Sequence, residues 1–250
     1  GKNINNKIIN NINNINNYCR QSYNKFIQKN NEIINILKKF KNNLNHVEFE
    51  NIKIKDITSV GKILHLFYEL FKNKEYNKAL EYSLYFNSFI NQIKSIQIKI
   101  KNKTLNFCKF TKKETKLSNL YFAPLVNKNP VLNNINFKDN LIITGPNASG
   151  KTTILKSTLF NIILSQQIGC GFYKKCFLNP YKYIHCYINI PDTSGRDSLF
   201  QAEARRCKEI LDQILVSSDK ERHFCVFDEL YSGTNPSEAI ASAYSYLKFI

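Results

Sequence analysis

Apolar residues recur at helical spacing through much of the first hundred positions. Ile8, Ile12, Ile15 and Cys19 step by four, three and four, and Ile33, Leu37 and Phe40 continue a similar stripe. A segment rich in β-formers, Val47 to Ile57, interrupts the pattern. Thr58 or Ser59 then stands where a cap would start a helix through Ile63, Leu66, Phe67, Leu70 and Phe71. The most regular stretch follows: Ala79, Tyr82, Phe86, Phe89, Ile93, Ile96 and Ile100 step by three and four without a miss. Such a heptad seam requires a partner helix along about 30 Å. It fits a long lever that transmits motion, and it equally fits the core of a helical bundle. Alternation around Leu105, Phe107 and Cys108 predicts a strand, and Lys109, Lys112, Lys113 and Lys116 mark a solvated connection. The expected division is a helical region over residues 1–118 and a second domain over 119–250.

The second half changes period. Leu141-Ile142-Ile143-Thr144 predicts an apolar strand running into Gly145. The eight residues from Gly145 to Thr152 fit G-x-x-x-x-G-K-[ST], with Pro146, Asn147, Ala148 and Ser149 between the glycines and Thr153 next in line. Gly145 and Gly150 let the backbone wrap a phosphate with its N–H groups turned inward. Lys151 reaches the β- and γ-phosphates, and the Thr152 hydroxyl suits Mg²⁺. An amphipathic helix (Ile154, Leu155, Thr158, Leu159, Ile162, Ile163) follows and aims its positive end at the same anion.

Further along, Phe224-Cys225-Val226-Phe227 reads as a strand buried on both faces, ending in Asp228-Glu229. Carboxylates at the carboxyl end of such a strand lie where ligands bind in open α/β sheets. Asp228 is the candidate for the Mg²⁺ shell and Glu229 for polarising the attacking water. Between the two motifs, Asp192-Thr193-Ser194-Gly195-Arg196-Asp197-Ser198 precedes a helix whose apolar face carries Phe200, Ala204, Cys207, Leu211 and Ile214. Ser198 or Asp197 is its expected N-cap, and a helix start behind a Ser/Gly turn is a fit receiver for an anion. After the acidic pair, Asn235 caps a last helix with Pro236 at its first position and Glu238 closing a capping box. Gly233 permits a tight approach of strand and helix.

Composition adds limits. The chain has 250 residues, 43% of them hydrophobic, and no apolar run approaches the roughly 20 residues of a membrane span. No secretory signal is legible at the Asn- and Lys-rich N-terminus. The seven cysteines form no C-x-x-C pair, so they fit a reducing, intracellular compartment better than a disulfide framework or a zinc site. The net charge of +17 is uneven, with +14 on residues 1–118 and +3 on the rest. That asymmetry points to nucleic acid or another polyanion as partner of the basic helical half. AT-rich coding is the other source of such a bias, since residues 1–50 hold 16 Asn beside abundant Ile and Lys.

Taken together, these pieces resemble the ATPase domain of the MutS family of DNA mismatch-repair and recombination proteins. Thr144 to Thr153 match the family's T-G-P-N-x-x-G-K-[ST]-T. Gln167-Ile168-Gly169-Cys170-Gly171-Phe172 resembles Q-I-G-x-F-V, and Ser198-Leu199-Phe200-Gln201-Ala202-Glu203 resembles S-T-F-x-x-E. Asp228-Glu229 with Gly233-Thr234-Asn235 resembles D-E-x-x-x-G-T-[SN]. The Asn/Lys/Ile bias is similar to that of MutS-like proteins of large DNA viruses. The resemblance implies an α/β P-loop (ABC-type) ATPase domain preceded by an α-helical, lever-like domain. It also implies a DNA-dependent ATPase that binds ATP and Mg²⁺ and closes as a homodimer. Lys151, Thr152, Asp228 and Glu229 would bind and hydrolyse ATP-Mg, and Ser198 would serve the partner subunit's ATP. Leu199 stands where the family has Thr, and Pro130-Val131 lies about where an adenine-stacking aromatic is expected. No separate mismatch-reading domain fits this length. The last helix reaches Ile250 without a C-cap or a following strand, which is expected of a domain cut short. Two other functions compete: another ABC-type ATPase of a transporter or chromosome-organising protein, disfavoured by the lack of L-S-G-G-Q, and an ATP-gated scaffold.

Overall fold

The computed structural model describes residues 17–44, 57–190, 198–218 and 220–250. The stripe at Ile8, Ile12 and Ile15, most of the β-rich segment after Val47, and the turn from Asp192 to Asp197 lie outside them. The chain divides into two compact units, 1–95 and 96–250.

The first unit is helical among its described residues: α1 (Asn17–Leu44), α2 (Ile57–Lys72) and most of α3 (Lys74–Lys101), which runs on into the second unit. The apolar seam of α3 finds its partner in α1. Phe26 stacks on Phe86 at 6.0 Å, Tyr82 donates to Asn30 Oδ1 at 2.7 Å, and Phe40 meets Tyr76 at 5.1 Å. Ascending numbers on one helix meet descending numbers on the other, so the two run antiparallel. Ala79 and Ile33 are buried within this pairing, whereas Phe89 and Ile93 further along the seam stay about half exposed. On α2, Ile63, Leu66 and Leu70 are half-buried while Phe67 and Phe71 face outward.

The second unit begins about twenty residues before the division expected near residue 118. The reason lies in strand pairing. β1 (Asn106–Phe110), the strand expected around Phe107 and Cys108, enters a five-stranded sheet, and β2 (Thr115–Leu120) joins it where a solvated connection was expected. Lys109 and Lys116 accordingly sit within strands. The remaining strands are β3 (Asn133–Phe137), β4 (Cys170–Gly171) and β5 (Lys175–Leu178), in the order β3-β2-β5-β1-β4. Only the β1–β5 pair is parallel. A separate parallel pair joins β6 (Tyr183–Tyr187) to β7 (His223–Phe227). Helices α4 (Lys151–Ile168), α5 (Leu199–Val216) and α6 (Pro236–Phe249) complete the mixed α/β unit.

Strand β7 explains the continuous apolar run. Phe224 and Val226 belong to a core with Leu117, Leu120 and Leu178 of the sheet and Ile162 of α4. The alternate residues Cys225 and Phe227 pack on a second core of Tyr187, Cys207, Ile210, Tyr231 and Tyr246. A strand with an apolar core on each side has no polar face to keep.

One expected element is missing. Leu141 to Thr144 form no ladder, and Ile142 is 88% exposed. An apolar run supplies the propensity for a strand, but a strand exists only where a neighbouring edge takes it in register. Here no described strand pairs with it.

Candidate nucleotide site

The loop from Gly145 to Gly150 turns back on itself at two left-handed residues, Ala148 (φ 60°) and Gly150 (φ 94°), the latter serving as N-cap of α4. Gly150 takes that conformation without the steric cost that Ala148 bears. Lys151 curls over the loop, its Nζ donating to the carbonyls of Gly145 at 2.8 Å and Pro146 at 2.9 Å. Its ammonium is therefore already posted at the loop mouth, one short movement from any phosphate the loop would hold.

A cavity of about 410 Å³ opens beside the loop. Thr144, Ala148, Ser149, Gly150, Lys151 and Thr153 form its polar wall. Phe122, Leu125, Pro130 and Val131 form an apolar one, with Ile143, Ile154, Asn133 and Ser157 between. The volume lies in the range of small-molecule and cofactor sites, and apolar residues beside a polar loop suit a flat base joined to phosphates. Pro130-Val131, the position of the expected adenine contact, does line this wall. Phe122 joins it from the end of β2 and rests on Phe160 of α4 at 6.2 Å. Sequence reasoning missed Phe122 because it belongs to no stripe; its one signal was an aromatic just ahead of Pro124.

Helix α4 is fixed by side-chain amides that imitate backbone. Asn161, buried, donates to the carbonyls of Ser157 and Tyr121 and accepts from Phe172 N at 2.6 Å. Gln166 pairs both ways with Tyr181, accepting from its N–H at 2.7 Å and donating to its carbonyl at 3.0 Å. The neighbouring Gln167 was the residue singled out from sequence, and these bonds belong to Gln166.

The acidic pair sits at the carboxyl end of β7. Asp228 N–H extends the ladder to Tyr187 O at 2.9 Å. Glu229 (φ 53°) and Tyr231 (φ 58°) then adopt left-handed backbone, which costs about 1 kcal/mol or more for each such residue. Two anchors hold this turn. Tyr231 N–H donates to the Tyr187 hydroxyl at 3.2 Å. Glu203 of α5, 2% exposed, accepts from Ser232 N at 3.0 Å, Ser232 Oγ at 2.9 Å and Gly233 N at 3.1 Å. Glu203 had no expected role. Its signal was a carboxylate in step with Cys207 and Ile210, since these three are the buried residues of α5.

Ser198 is the N-cap of α5. Its Oγ accepts from Gln201 N at 3.3 Å, and the Gln201 side chain returns the bond to Ser198 N–H at 3.0 Å. Gly233 packs against this first turn: a Cβ there would lie 2.8 Å from Phe200 N and 2.8 Å from Leu199 Cγ. The tight approach expected of Gly233 is thus made to the start of α5. Asn235 caps α6 by accepting from Glu238 N at 3.0 Å, while the Glu238 carboxylate takes the Thr234 hydroxyl at 2.6 Å instead of closing the expected box. Thr152, Asp228, Glu229 and Ser198 are not among the residues lining the cavity.

Residues 141–250 match the family model for MutS domain V. This segment is similar to MutS domain V. The chain is 37% identical over 135 residues to a Staphylococcus haemolyticus protein named endonuclease MutS2. That match covers 52% of this chain and 17% of the relative. It is 32% identical over 113 residues to the DNA mismatch repair protein Msh3 of Dictyostelium discoideum, covering 44% of this chain and 8% of the relative. The chain therefore spans less than a fifth of either relative. MutS domain V is the ATPase domain of its family, and the P-loop, the cavity beside it and the acidic turn all fall within or next to the matched residues. Among the described residues no helix is long and apolar enough to cross a membrane, and no cluster of His, Cys, Asp and Glu has the makings of a metal site. Cys108, Cys170, Cys176, Cys186, Cys207 and Cys225 are free.

Proposed function

We propose that this chain binds ATP in the cavity beside Gly145–Gly150 and hydrolyses it as part of a MutS-type protein acting on DNA. The observation that carries the reading is one cavity lined both by the loop residues Ala148, Ser149, Gly150 and Lys151 and by the apolar Phe122, Leu125, Pro130 and Val131. The loop and the start of α4 would hold the phosphates, with Lys151 exchanging its two carbonyl partners for phosphate oxygens. Thr152 and Asp228 offer hydroxyl and carboxylate oxygens, the hard donors that Mg²⁺ takes. A Mg²⁺ held by these oxygens would neutralise charge on the phosphates. Glu229 is the candidate to orient the water, and it lies in the turn that Glu203 and Tyr187 anchor. Ser198 opens α5 and is the candidate contact for a second subunit's ATP across a homodimer. The basic first unit is the candidate DNA contact.

Lys151→Ala should abolish ATP binding, measured by fluorescent-nucleotide titration, and unchanged affinity would refute the site. Glu229→Gln should leave binding intact while slowing hydrolysis and accumulating dimers. Hydrolysis measured with and without duplex, mismatched and branched DNA separates a DNA-acting ATPase from one indifferent to DNA. DNA affinity that is flat with salt would assign the positive charge to composition alone.

A further inference from the structure

Cys108 on β1 and Cys176 on β5 are direct register partners on neighbouring parallel strands. Their Sγ atoms lie 3.5 Å apart. Adjacent strands run about 4.8 Å apart, inside the Cα separation of roughly 4.4–6.8 Å that a disulfide spans. Both side chains meet the same core, which contains Ile162 and Leu178. We propose that Cys108 and Cys176 are a redox pair, closing to an intrachain disulfide when the protein meets a hydroperoxide and reopening with a dithiol.

The two sulfurs are not equivalent. Cys176 is 3% exposed, whereas Cys108 is only half-buried and is the one an oxidant can approach. The Cys176 thiol beside it, helped by the Tyr173 and Ser165 hydroxyls, draws the Cys108 thiol below its ordinary value. The Cys108 thiolate attacks the peroxide, the O–O bond breaks, and the departing oxygen leaves protonated. Cys108 is then a sulfenic acid. The Cys176 sulfur attacks the Cys108 sulfur, its S–H proton goes to the departing hydroxyl, and water leaves as the S–S bond forms. With hydrogen peroxide the balance is two thiols and one peroxide giving one disulfide and two waters.

The pair lies against the last turns of α4: Tyr173 and Ser165 share a hydrogen bond of 2.8 Å, and Ser165 donates to Asn161 O. Oxidation therefore staples two strands beneath the helix that begins at Lys151.

Peptide mapping of the intact chain tests this. Trypsin cuts after Lys103, Lys109, Lys175 and Lys182, leaving Cys108 on residues 104–109 and Cys176 on residues 176–182. After hydrogen peroxide treatment and alkylation, these two peptides should appear joined, lighter by two hydrogens than their sum. They should separate on dithiothreitol treatment before digestion, and the joined species should be absent from Cys108→Ser and Cys176→Ser proteins. The proposal is overturned if both peptides are recovered singly, with Cys108 sulfinic or both alkylated. It is equally overturned if Cys108 is joined to the Cys170 peptide, residues 157–174. The unsubstituted protein decides the question by itself, so a variant that fails to fold leaves the test intact.

Discussion

Removing the Glu203 carboxylate should loosen the acidic turn, and the structure sets the scale. Three donors converge on its two oxygens: Ser232 N–H and Oγ on Oε1, and Gly233 N–H on Oε2. Hydrogen bonds to a charged acceptor contribute about 1.5–3 kcal/mol each, and a buried donor left unpaired costs about 1–3 kcal/mol. Glu203→Ala orphans all three and opens a cavity, but it also relieves the desolvation of a buried carboxylate. The expected net loss is about 3–4 kcal/mol. Glu203→Gln keeps the volume and one oxygen, which retains Ser232, and sets an amide N–H₂ against the Gly233 N–H. One bond is lost and two donors face each other, for about 1.5–2 kcal/mol. Urea denaturation followed by circular dichroism should rank wild type above Gln above Ala, and amide exchange at Ser232 and Gly233 should accelerate in both variants. A Glu203→Gln protein as stable as wild type, with Gly233 still protected, would refute the account of how this turn is held.

Gly233→Ala should cost about 1–3 kcal/mol, because its Cβ meets the Phe200 backbone nitrogen at 2.8 Å and backbone yields only by shifting α5; an unchanged melting temperature would contradict that contact. Ser198→Ala should lose about 1 kcal/mol through its capping box, read as faster amide exchange in the first turn of α5. His185 is buried on β6, where its Nε2 lies 2.9 Å from His223 Nδ1, and burial, with His223 and Arg206 nearby, holds it below its ordinary value of 6.5. The unfolded chain then takes up its proton first, so this residue's stability is intact above pH 6.5 and is lost as the pH falls below it. Melting temperature against pH should drop on the acid side of that value, and His185→Gln should flatten the drop.

The parts of this molecule legible in the sequence are those decided locally. The P-loop, the cap at Asn235, the helix starting at Lys151 and the strand ending at Asp228 each depend on neighbours within a few residues. The partner of the α3 seam was predicted to exist and was found in α1, because a heptad stripe states a need that only another helix meets. What stayed hidden depends on residues far apart in the chain. Glu203 stands in the sequence only as the last residue of the S-T-F-x-x-E match, and its use by the distant turn at Ser232 is not legible there. Phe122 becomes a cavity wall only once β2 has delivered it beside α4. Leu141–Thr144 carries strand propensity, but pairing needs an edge, and propensity says nothing about edges. The lysines at 109 and 116 looked like a linker because charge is visible in a sequence, whereas alternation within a short strand is easily masked by it.

The Glu203 anchor has a consequence for how this region opens. A helix end normally frays by itself, residue by residue. Here the first turn of α5 is pinned under Gly233, and Gly233 is in turn pinned one helical turn deeper by Glu203. Neither the helix start nor the turn behind the acidic pair can come loose while the other remains seated. The two therefore form one cooperative opening unit, and a touch at Ser198 is felt at Glu229 through a change in how often that unit opens.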